Sequence, residues 1–149
     1  LITVSSISGG YGITVGLDSI ENATEPKDWS DGEVLANENI YSNKIGYHFI
    51  TVKGRIFDPA KPNETEPSLA LNWVVATNLL NSKFSVKRSF SIPIGKQVVL
   101  DSGFDLDKFS DDIFPLATPI IKSDPTDTDD FNAAMQLKNN FQDKAFHLK

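Results

Sequence analysis

The sequence predicts a mostly β chain: an antiparallel β-sandwich with one C-terminal α-helix. Three observations carry that expectation. Several stretches alternate apolar and polar residues with the period of a half-buried strand, most clearly within Lys83 to Leu100. Turn-rich connections separate these stretches, and no strand–helix–strand alternation accompanies them, which argues against a doubly wound parallel sheet. Helical periodicity over several turns is confined to the end of the chain.

Residues 1 to 20 are expected to form two short extended pieces. Leu1 to Ile7 is rich in β-branched residues, and after Gly9-Gly10 the residues Tyr11, Ile13, Val15 and Leu17 alternate with Gly12, Thr14, Gly16 and Asp18. Residues 21–44 are polar and turn-rich, with Asp31-Gly32 as a turn signal and Trp29 placed to anchor the connection. A strand follows from Ile45 to Phe57, with Ile50, Val52 and Ile56 on one side and Tyr47, Phe49 and Thr51 on the other. The three prolines between Asp58 and Pro67 enforce a loop. Ser68 to Asn78 is the next strand, with Leu69, Leu71, Trp73 and Val75 alternating.

The Lys83–Leu100 stretch places Phe84, Val86, Phe90 and Ile92 on one face, reverses at Pro93 to Lys96, and predicts a short return strand over Gln97–Leu100. Residues 101–112 are an acidic connection, and Pro115 and Pro119 demote Ile113–Ile121 to an edge strand or an extended crossing. Capping residues at Thr126 to Thr128 then open a helix over about residues 128 to 146. Its expected inner face is Phe131, Ala134, Met135, Lys138, Phe141 and Ala145.

At 149 residues and 40% apolar content, one domain spanning 1–149 is expected: an extended segment 1–20, a sandwich body 21–125 and the helix 126–149. The net charge of −6 with scattered basic residues argues against nucleic acid or anionic membrane as partner. No apolar run reaches the roughly 20 residues of a membrane helix. Without cysteine there is no disulfide, thiolate metal site or cysteine nucleophile. The first residue is Leu rather than Met, which fits removal of a preceding segment and a secreted or cell-surface location.

Catalytic chemistry finds little support. His48 and His147 have no histidine or carboxylate at ligand spacing, and no Gly-x-Ser-x-Gly elbow occurs. Asp101-Ser102-Gly103 would need a second matching aspartate motif to form an acid–base pair, and the sequence holds none. The Gly9–Gly16 run leads into Ile13-Thr14-Val15 rather than a helix, so it is no phosphate loop. No cofactor is therefore expected, although Asp101, Asp105 and Asp107 are a source of oxygens for calcium. Trp29 and Tyr41, in the loop-rich stretch, are the candidates for stacking on a sugar ring.

The leading expectation is a non-enzymatic exported subunit of a fibre, pilus or particle. Its assembly strand would be Tyr11, Ile13, Val15 and Leu17, pairing with other copies or with partner subunits. The alternative is a surface or secreted carbohydrate-type binding module that uses loops 21–44 and 101–112.

Overall fold

The computed structural model describes residues 6–15, 17, 19–58, 60–63, 65–67, 69–76, 84–97 and 101–148. These residues form eight strands in three sheets with one long helix near the C-terminus, a mixed α/β arrangement without a closed barrel. Among the described residues no helix is long and apolar enough to cross a membrane.

The central sheet has four strands in the order β2 (Tyr41–Ser42), β3 (Gly46–Ile56), β4 (Leu69–Ala76) and β7 (Ile120–Ile121). β3 and β4 are antiparallel from His48↔Ala76 to Ile56↔Leu69, whereas β7 runs parallel to β4. Ile120 and Ile121 thus form the edge strand that the prolines around them allow. A register shift between His48 and Ile50 marks a β-bulge. The extra residue resets the alternation, so neighbouring Phe49 and Ile50 both reach the main core.

That core lies between one face of this sheet and the helices. Trp73 and Val75 of β4 and Ile121 of β7 pack with Phe109, Ile113, Ala134, Leu137, Phe141 and Ala145. Trp73 is 2% exposed, and its Nε1 donates to the Thr118 carbonyl at 2.8 Å. The opposite face of the sheet carries a second, smaller cluster of Ile45, Val74 and Ala76. Ser123, fully buried, ties β7 to β4: its hydroxyl donates to the Val74 carbonyl at 2.7 Å and accepts from the Ala76 amide at 3.1 Å.

The helix α3 spans Thr128–Asn140, capped by the Asp127 carboxylate accepting from the amides of Asp129 and Asp130. Asp130 accepts from the amides of Lys122 and Asp124 at 2.8 and 2.7 Å, fixing the helix start against the exit of β7. The inner face is Ala134, Leu137, Phe141 and Ala145, with Phe131 and Met135 only partly buried. It is turned from the expected face by about one position.

The helix also stops short of the expected 126–149 span. A π-turn over Phe141–Ala145 follows, and the chain then returns as β8 (Phe146–Leu148), antiparallel to β6 (Ser102–Phe104). The i, i+4 spacing of Phe141 and Ala145 suits the wide turn as well as it suits a helix, which is why the pattern did not betray the change. Phe141 gathers the rings of Phe49, Phe104 and Phe146 at centroid distances of 5.9, 6.0 and 5.6 Å.

The third sheet is a two-stranded ribbon of β1 (Ser6–Val15) and β5 (Phe84–Pro93), antiparallel over ten residue pairs from Ser6↔Pro93 to Val15↔Phe84. Where two extended pieces were expected, one strand runs unbroken through Gly9, Gly10 and Gly12. Residues 1–5 lie outside the described residues. The reversal at Pro93 to Lys96 forms, with the Lys96 amide donating to the Pro93 carbonyl at 3.1 Å and Gly95 at φ +77. Gln97 is not in a strand, and the rest of the expected return strand, 98–100, falls outside the described residues. The partner β5 does have, β1, lies far away in sequence.

Candidate interaction edge and surface clefts

β1 reads Ser-Ile-Ser-Gly-Gly-Tyr-Gly-Ile-Thr-Val and contains no charged residue and no proline. Its partner β5 contains Lys87, Arg88 and the terminal Pro93. Among the described residues no third strand pairs with either, so each strand turns one row of amides and carbonyls away from its partner. Folded chains usually blunt such edges with Lys, Arg or Pro. β5 is blunted in that way and β1 is not.

The remaining edges are short or guarded. β2 covers β3 only at Tyr41↔Tyr47 and Ser42↔Gly46, and the stretch of β3 beyond it presents exposed Lys53 and Arg55. β7 is two residues long between Pro119 and Lys122, and β6 and β8 are three residues each. β1 is thus a long edge without a guard, about 33 Å at the rise of an extended chain. Of the four residues expected to make an assembly strand, Tyr11, Ile13 and Val15 lie in β1 opposite Arg88, Val86 and Phe84, and Leu17 lies beyond its end.

The loop-rich stretch 21–44 is more regular than expected. It holds a short helix α1 (Ser19–Ala23) at its start, then 3-10 turns at Pro26–Asp28, Val34–Ala36 and Glu38–Ile40. Trp29 anchors it as foreseen: its Nε1 donates to the Tyr47 hydroxyl at 2.9 Å, and that hydroxyl donates to the Thr24 carbonyl at 2.8 Å. Burial raises the Tyr47 phenol above its ordinary value of 10.0, so it stays a neutral donor. Tyr41 packs its ring 4.9 Å from that of Tyr47 and lines an open cleft of about 310 Å³ with Glu25, Lys27, Glu38 and Asn43. Trp29 is not among the residues lining this cleft. Sequence reasoning paired the two rings, and of the two Tyr41 lines this cleft.

A second cleft, about 350 Å³ and mainly apolar, opens on the sheet face that points away from α3. Ile45 and Val74 form its floor, with Asn72 and His48 beside them and Lys44, Lys122 and Asp124 at the rim. Lys44 is engaged: its Nζ contacts Asp124 Oδ2 at 2.6 Å and donates to Thr126 Oγ1 at 3.0 Å. Thr126 also donates to Asp124 through its amide and its hydroxyl, at 2.8 and 2.7 Å. Lys44 first, then Thr126, hold the Asp124 carboxyl well below the usual carboxylate range. Partial burial, and then the charge of Lys53, push His48 below its ordinary value of 6.5, which favours the neutral imidazole.

The sign of the pH effect at Asp124 follows. A depressed folded value contributes stability above the unfolded value near 3.8, and that contribution is lost as pH falls through the folded value. Lys44→Met is therefore expected to lower the urea midpoint at neutral pH by an amount that shrinks as pH falls below 3.8. Midpoints measured from pH 7 to pH 2.5 check it; a difference independent of pH would contradict it.

The acidic connection 101–112 uses its carboxylates locally. Asp101 Oδ1 accepts the amide of Ser102 at 2.8 Å, and Asp105 caps the short helix α2 (Leu106–Phe109) by accepting the Lys108 amide at 3.0 Å. Asp107 sits in the first turn of α2, and Asp111 pairs with Lys144 at 2.5 Å. Among the described residues no three His, Asp or Glu side chains come together as a metal site would require. His147 lies in β8 opposite Gly103 rather than at a frayed end, its ring so close that a Cβ on Gly103 would meet Nε2 at 2.5 Å. His48 and His147 thus belong to different sheets. The cleft residues Lys44 and Lys122 carried no signal in the sequence, and the Lys44–Asp124 contact across 80 residues leaves no local pattern.

No protein-family model, no curated protein and no solved structure matches this chain.

Proposed function

We propose that this chain is a non-enzymatic structural subunit of an exported fibre, pilus or particle, which assembles by adding a neighbouring chain's strand to β1. The observation that carries this reading is the contrast within the ribbon: ten uncharged residues with an open edge in β1, against Lys87, Arg88 and Pro93 in β5. An isolated two-stranded ribbon is marginal in water, and a third strand would stabilise it through main-chain hydrogen bonds. The sandwich architecture belongs to the same proposal. A ribbon widened by a neighbour's strands is a layer of sandwich size, whereas the layer on the main core face of the central sheet within one chain is helical.

Light scattering at rising concentration tests the reading. Self-association is expected in the native chain, and loss of it in the double variant Gly10→Lys, Gly12→Lys, which puts guards on the open edge. Lys87→Ser with Arg88→Ser should leave association intact or strengthen it. A native chain that stays monomeric with and without a candidate partner strand, or association indifferent to the lysines in β1, would overturn the proposal.

The cleft beside Tyr41 favours a second reading, a carbohydrate-binding surface. Glu25, Lys27, Glu38 and Asn43 offer hydroxyl partners around one aromatic ring there. Glycan binding lost in Tyr41→Ala would support it. Trp29→Ala is not an equivalent test, because it removes the hydrogen bond to buried Tyr47.

A further inference from the structure

The cleft on the sheet face away from α3 uses no residue of β1 or β5, so it stands apart from the assembly reading. Its volume of about 350 Å³ falls within the range of small-molecule sites. Its electrostatics run against those of the chain. The protein carries a net charge of −6, yet the rim of this cleft holds two lysines and one carboxylate. That carboxylate, Asp124, is already committed to Lys44 and Thr126. Lys122 donates its backbone amide to Asp130, and among the described residues no acid pairs with its ammonium group. Burial and the charge of Lys53 favour the neutral form of His48, and Ile45 and Val74 give an apolar floor.

We propose that this cleft binds a small monoanionic amphiphile, with its anionic group on Lys122 and its apolar body against Ile45 and Val74. One positive charge in excess of Asp124 matches one negative charge on the ligand. A dianion would leave a charge uncompensated beside an apolar floor, where solvation is poor. An apolar neutral molecule would leave Lys122 without a partner.

Hexanoate is a suitable probe, with hexan-1-ol as the neutral control of similar shape. Backbone amide chemical shifts of Ile45, His48, Val74 and Lys122 are expected to move and saturate with hexanoate at a dissociation constant of about 1 mM or tighter. Hexan-1-ol is expected to bind at least about tenfold more weakly, and Lys122→Glu to weaken hexanoate by at least about tenfold. Lys122 is exposed, so the variant should keep the fold, and Lys122→Arg should retain binding. Shifts that do not saturate, shifts scattered over the surface, equal binding of hexan-1-ol, or unchanged affinity in Lys122→Glu would each overturn the proposal. All these readouts can be taken on the Gly10→Lys, Gly12→Lys variant, so they do not depend on whether the chain assembles.

Discussion

Replacing Trp73 by alanine should destabilise the chain by about 3–5 kcal/mol, the usual cost of removing a large ring from a packed core. The residue is 2% exposed on β4 and stacks at a tilt with Phe109, their centroids 6.5 Å apart. It sits where strand, edge strand and helix meet, so surrounding atoms cannot collapse into the space from one side alone. The loss is more than volume. The indole Nε1 satisfies the Thr118 carbonyl just before β7, and without it that acceptor lacks its partner. Trp73→Phe separates the two contributions, since it keeps most of the ring and drops the donor; about 1–3 kcal/mol is expected for it. Denaturant unfolding of both variants checks the order. Equal stability of Trp73→Ala and the native chain would mean that the core is not built on β4.

Asn140→Leu is the second large effect, at about 2–4 kcal/mol, because it removes the donor that reaches two carbonyls from the helix. Asn140 is 1% exposed at the last turn of α3. Its Nδ2 donates to the carbonyls of Phe109 and Asp111 at 3.0 and 2.7 Å, and its Oδ1 accepts from Gln136 at 3.0 Å. These bonds hold the end of α2 against α3, at the point where α3 gives way to the π-turn and β8. Leucine has the same branched skeleton and buries more apolar surface, so a simple hydrophobic account predicts stabilisation. The hydrogen-bond account predicts the opposite sign. Asn140→Asp should be at least as damaging, since it turns a carboxylate toward two carbonyl oxygens. Guanidinium midpoints decide the sign directly, and a stabilised Asn140→Leu would contradict the account.

The strands and the helix were legible in the sequence to the extent that they obey a local period. β3, β4 and β5 alternate, and their observed bounds fall inside the expected stretches. Acidic residues and Asp127 mark the start of α3. The limits of that reading are equally physical. The bulge near Phe49 breaks a two-residue period without any marker residue. The pairing of β1 with β5 joins residues about 80 positions apart, and alternation says which face a strand buries but not which strand lies beside it. Phe141 and Ala145 satisfied a helical period while building a π-turn, which hid β8. Asn140 lay outside the expected inner face of the helix and is buried, because its side chain serves two carbonyls of a segment about 30 residues away.

The candidate surfaces divide the same way. Tyr11, Ile13 and Val15 were legible as a strand, and the absence of charge that makes β1 distinctive was present in its letters. That it forms an edge required the sheet topology. The different placements of Trp29 and Tyr41 are set by Tyr47, which comes from a different element: Trp29 bonds its hydroxyl and Tyr41 packs on its ring. The cleft at Lys122 required the folding together of three strands and the exit of β7.

The open edge of β1 is most directly tested by amide hydrogen exchange of residues 6–15 at two protein concentrations. In the dilute chain alternate amides should be protected, those facing β5, while those facing outward exchange freely. At concentrations where light scattering reports association, the outward set should become protected as well. Outward amides that exchange at the same rate at both concentrations, while the chain associates, would place the contact elsewhere and contradict the account.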